Sequence, residues 1–131
     1  MERVLVLGSL RIPFLSGIQV DRFEGFVQGM GQLKASEYTA VIMDLRSNGN
    51  NHPLDKVLES IEVIQERSHG VPIIIVAREN SLEMERSIRQ KGIFYYLCGD
   101  LDPKIWKEIF IRSLVYSTSR RPRETTLSLA S

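Results

Sequence analysis

Four short, unbroken apolar runs limit most strongly what this chain can fold into. They are Val4 to Leu7, Ala40 to Met43, Val71 to Ala77 and Ile93 to Cys98. A strand with one wet face alternates apolar and polar residues. A strand that is apolar at every position is covered on both faces, as in a parallel sheet sandwiched between helices. Residues 18–20 (Ile-Gln-Val) offer a further short strand between the first two runs.

The segments between the runs carry helical periodicity. Phe23, Phe26, Val27, Met30 and Leu33 fall on one face of a helix, which Gly25, Gly29 and Gly31 weaken by about 1 kcal/mol each relative to alanine. Leu54, Val57, Leu58, Ile61 and Ile64 mark a second helix, with Pro53 in its first turn. A third begins near Asn80 or Ser81, where Asn80 and Glu83 have capping-box spacing, and ends at Gly92. The last opens on Asp102-Pro103 and buries Ile105, Trp106, Ile109, Phe110 and Leu114. Alternating strands and helices imply right-handed βαβ units and a doubly wound α/β domain.

The chain has 131 residues, enough for one domain, with 43% hydrophobic and 25% charged residues. We place that domain at residues 1–116 and read the polar, aperiodic residues 117–131 as a tail or linker. A formal net charge of +1 gives no electrostatic footprint for nucleic acid. Cys98 is the sole cysteine, so no internal disulfide and no zinc-type spacing exist, which fits a reducing compartment. The apolar run at the N-terminus is too short for a signal peptide or a membrane span. The expectation is a cytoplasmic protein without membrane contact, metal or cofactor.

Residues 3–116 resemble the receiver domain of two-component response regulators, the CheY-like family. The resemblance rests on Val71-Pro72-Ile73-Ile74-Ile75-Val76-Ala77-Arg78, on Gly92-Ile93-Phe94-Tyr95-Tyr96-Leu97, on Leu101-Asp102-Pro103 and on the run from Tyr38 to Leu45. It implies a five-stranded flavodoxin-like parallel sheet, with Asp44 at the phospho-acceptor position. It further implies a divalent cation on two acids after the first strand, a Ser/Thr after the fourth strand and a Lys after the fifth. Here those positions fall on Gly8 and Ser9, on Ala77 and on Gly99, with Asp100 beside it. Of the five chemical positions only Asp44 survives. A lone carboxylate makes a poor site for a hard dication.

Length departs too. Seven residues, including Pro13, separate Ser9 from Gly17, so the helix that the family places there is shortened or missing. Its loss would expose one sheet face to solvent unless a partner covers it. The polar loop from Arg46 to His52 departs from the family as well.

The resemblance therefore implies a degenerate pseudo-receiver, not an enzyme, that signals by binding a protein partner or a second copy, for example as the N-terminal module of a transcriptional regulator. Tyr95, Tyr96 and Trp106 fall on or near the face receivers use for dimerisation, Tyr96 at the switch-aromatic position; a core role for Trp106 is equally open. Two alternatives remain: a small-ligand or nucleotide-binding doubly wound domain, although Gly8-Ser9-Leu10-Arg11 lacks phosphate-loop spacing, and a conventional receiver phosphorylated on Asp44. His52, His69 and Cys98 read as loop or strand-end residues, Asp44 could simply hydrogen-bond the loop after it, and Arg120, Arg121 and Arg123 read as solvated.

Overall fold

A computed structural model describes residues 2–11, 17–33, 38–46, 53–78, 82–99 and 102–130, excluding the side chains of 27, 28, 32 and 117–130. The elements run β1 (Glu2–Leu7), β2 (Ile18–Phe23), α1 (Phe26–Gln32), β3 (Ala40–Asp44), α2 (Leu54–Arg67), β4 (Ile73–Ala77), α3 (Leu82–Arg89), β5 (Tyr95–Cys98) and α4 (Pro103–Ala130). The five strands form one parallel sheet in the order β2-β1-β3-β4-β5. This is the doubly wound arrangement expected from the apolar runs, in the flavodoxin-like order that the resemblance implied.

Strand pleating sends alternate side chains to opposite faces. Leu5, Leu7, Val41, Met43, Ile73, Ile75, Ala77 and Tyr96 pack with α1, α2 and α3 residues such as Met30, Ile61 and Ile88. Val4, Val6, Ala40, Ile42, Ile74 and Val76 pack under α4 through Trp106, Ile109 and Phe110. Every residue of β3 and β4 is buried, which explains why these strands show no alternation.

Between β1 and β2 the described residues 8–11 and 17 contain no helix. The face this was expected to lay bare is nonetheless closed over β1: Val4 and Val6 are fully buried and Leu10 folds back beside them. Arg22 Nε donates to the Leu10 carbonyl oxygen at 3.2 Å and ties the connection to the edge strand. The edge strand β2 stays half-covered, at Ile18 and Val20.

Three boundaries differ from the sequence reading. Phe23 ends β2 rather than starting the first helix, because its partner in the ladder is Leu7. Pro53 is the N-cap of α2, where its carbonyl receives the Val57 N–H at 3.1 Å. Helix α4 continues through Ala130, across the stretch read as a tail. Polarity alone does not end a nucleated helix, although Pro122 lies inside this stretch and can donate no backbone hydrogen bond. Asp102-Pro103 opens α4 as expected, with Asp102 Oδ1 accepting the Lys104 N–H at 2.9 Å. Gly92 follows α3 with φ of 82°. Asn80, Ser81, His52 and Asp100 lie outside the described residues. Among the described residues no helix is long and apolar enough to cross a membrane.

Candidate functional site at the carboxyl edge of the sheet

In a parallel sheet all strand carboxyl ends share one edge, and ligands bind there at the point where strand order reverses, here between β1 and β3. Gly8 follows β1, Asp44 ends β3, Ala77 ends β4 and Gly99 follows β5. The fold therefore brings together the positions that the resemblance singled out.

Asp44 is 2% exposed. Its Oδ1 accepts the Arg46 backbone N–H at 3.0 Å and the Arg46 Nε–H at 3.1 Å. The same oxygen thus anchors the turn after β3 and forms an ion pair with an arginine whose side chain is only 29% exposed. Arg78, just after β4, reaches across with Nη2 to the Arg46 carbonyl oxygen at 3.0 Å. The sequence reading treated Arg46 as one polar loop residue among several and gave Arg78 no role. The signal available was a cation two residues beyond a buried strand-end acid.

Gly8 lies against this acid. A Cβ built there would stand 2.7 Å from Asp44 Cβ and 3.0 Å from its carbonyl oxygen. Its φ of 130° is also one that L side chains avoid. No acidic side chain fits here without displacing the end of β3. A divalent cation wants several hard oxygen ligands. Asp44 offers a carboxylate already paired with Arg46, and among the described residues no three His, Cys, Asp or Glu side chains gather. The donor set does not fit the cation that the resemblance implied.

Ser9 is exposed, and the one described histidine, His69, lies at the opposite edge, between α2 and β4. Ala77 is 3% exposed and its carbonyl accepts the Gly99 N–H at 3.1 Å, with Gly99 at φ of 83°. Neither position supplies a hydroxyl or an ammonium.

Tyr96 is buried in the core under α3, and its hydroxyl finds no hydrogen-bond partner. Burial pushes its pKa above the usual tyrosine value. The Arg89 guanidinium lies 5.8 Å from the ring centroid. Trp106 is 4% exposed and packs on Phe110 with ring centroids 5.8 Å apart. Both rings are core residues, which for Trp106 is one of the two roles left open: the face of α4 that carries it is the one the sheet buries. Tyr95 points the other way from Tyr96 and is 42% exposed. Cys98 is a half-buried free thiol packed against the α1–α3 core.

No family model and no curated protein matches this sequence. Solved structures do match the fold. Chemotaxis protein CheY4 of Vibrio cholerae superposes with a TM-score of 0.66 at 15% identity, over 87% of this chain and 99% of that one. A CheY-like receiver domain protein from Methanospirillum hungatei gives 0.72 at 14% identity, over 91% and 98%. NtrX from Brucella abortus gives 0.72 at 12% identity, where 93% of this chain covers 29% of that one. The fold is that of receiver domains.

Proposed function

We propose that this domain is a regulatory module of receiver type that works by protein contact, without phosphoryl transfer. One observation supports the reading: the acid at the acceptor position is buried, its Oδ1 is paired with Arg46, and Gly8 packs so close to its Cβ that no second acid fits beside it. Arg46 takes up the negative charge that a dication would otherwise balance. The partner is a protein or a second copy of the chain.

Intact mass spectrometry tests the reading. The chain is incubated with magnesium and a small acyl phosphate, and its mass is followed over time. The expected result is no added phosphoryl group. A stoichiometric adduct that Asp44→Asn abolishes would show a working receiver instead. Light scattering of the untreated chain then separates self-association from a search for another protein.

A further inference from the structure

β2 is an edge strand, and one side of its backbone is open. The Gly8 N–H donates to the Phe23 carbonyl oxygen at 2.8 Å, and the Glu2 N–H to that of Gly17 at 3.1 Å. Backbone polar groups alternate sides along a strand, so Gln19 and Asp21 also face β1, while Ile18, Val20 and Arg22 direct their N–H and C=O groups away from the sheet. Among the described residues no backbone group meets them there. Such a row is a template for another strand, and edges are ordinarily blunted by brevity, by proline or by free charge. β2 is six residues long and has no proline. Its two charges are both tied within the chain, Asp21 to Arg3 and Tyr38, and Arg22 to the Leu10 carbonyl oxygen. The opposite edge strand, β5, is four residues long.

We infer that β2 pairs antiparallel with β2 of a second copy, across a two-fold axis at Val20, and joins the two sheets into one. Charge selects this register. A two-fold axis normal to the sheet keeps every side chain on its own face, so the axis falls on a residue and opposes that residue to itself. An axis at Asp21 or at Arg22 opposes like charges, which destabilises a strand pair. An axis at Ile18, Gln19 or Phe23 pairs fewer residues of β2. The axis at Val20 pairs Ile18 through Arg22. It sets the Gln19 amide against the second copy's Asp21 carboxylate, a donor against an acceptor, and Ile18 against the aliphatic stem of Arg22. All three outward-facing residues then fall in hydrogen-bonded pairs, and the half-covered Ile18 and Val20 gain apolar neighbours across the join. The flanking charges do not oppose it. Residues 12–16 carry none, Arg11 and Glu24 flank the strand with one of each sign, and Lys34 and Glu37 before β3 cancel. The inference rests on the reading that the domain works by protein contact, and it names the partner and the surface.

The test is sedimentation velocity of the full chain over a wide concentration range, paired with amide hydrogen exchange read residue by residue. The expected result is a monomer–dimer equilibrium in which the Ile18, Val20 and Arg22 amides exchange more slowly as the dimer fills. Val20→Lys sets two ammonium groups across the axis and is expected to weaken the dimer about tenfold. Gln19→Glu sets a carboxylate against the second copy's Asp21 and is expected to weaken it about threefold; Gln19 is exposed, so this variant leaves the core untouched. A chain that stays monomeric throughout overturns the inference, as does a dimer whose β2 amides gain no protection or whose affinity neither variant changes. A monomeric chain leaves the proposed function with another protein as partner. A phosphoryl adduct, read separately by mass, overturns the proposed function without deciding the pairing of β2.

Discussion

At the scale of single residues, Gly8 and Asp44 form a pair that resists repair. Gly8→Asp would place an acid where the resemblance implies one, yet its Cβ collides with Asp44 and its backbone is held at φ of 130°. The expected outcome in urea denaturation is a loss of about 2–4 kcal/mol with no gain in magnesium affinity. Tyr96 is the second such residue. Its buried hydroxyl has no partner, so Tyr96→Phe is expected to raise stability by about 1 kcal/mol. The folded chain also holds the Tyr96 proton more tightly than the unfolded chain does, because burial raises its pKa from 10.0. Between the two pKa values the unfolded state binds fewer protons, so stability falls as pH rises above about 10. Thermal melts of the wild type and Tyr96→Phe across that range should show a shallower decline in the variant. Asp44 was legible in the sequence because it ends an apolar run. Arg46 was not, because a side chain that turns back on its own strand leaves no periodic trace.

Whole elements show where the sequence spoke clearly. β3 and β4 were legible because they are buried on both faces, and no polar residue interrupts them. β2 was harder, since an edge strand half-covered on one side mixes Ile18 and Val20 with Gln19, Asp21 and Arg22. It is held by charge as well as by its ladder. Asp21 Oδ2 accepts from the Tyr38 hydroxyl and from Arg3 Nη2, both at 2.7 Å. The Tyr38 hydrogen bond, followed by Arg3, keeps the Asp21 carboxyl below its ordinary range. Helix α1 was read as merely weakened by glycine, but its glycines differ. A Cβ at Gly29 would meet Leu7 Cδ2 at 2.0 Å, whereas one at Gly31 would meet nothing within 4 Å. Gly29 is thus the contact point of α1 on β1, and Gly31 is a plain helical weakness. Gly31→Ala is expected to stabilise by about 0.5–1 kcal/mol. Gly29→Ala is expected to destabilise by about 1–2 kcal/mol, since the buried Leu7 must move. Paired chemical denaturation of the two variants checks the opposite signs.

For the whole molecule, the two faces of the sheet are covered unequally. Three helices share one face, while α4 closes the other with Trp106, Ile109, Phe110 and the half-buried Leu114. All these α4 contacts lie before residue 117, so a chain shortened to end at Tyr116 is expected to keep its cooperative transition within about 1 kcal/mol of the full chain. Shortening it before Trp106 removes the lid and should abolish folding, as circular dichroism and ANS binding would show. This asymmetry also bears on synthesis. The ribosome releases all five strands before it releases α4, so Val4, Val6, Ile42, Ile74 and Val76 must wait, greasy and uncapped, until the final helix arrives. During that interval the nascent chain is at its stickiest, and a stalled or prematurely terminated copy is a natural client for chaperones.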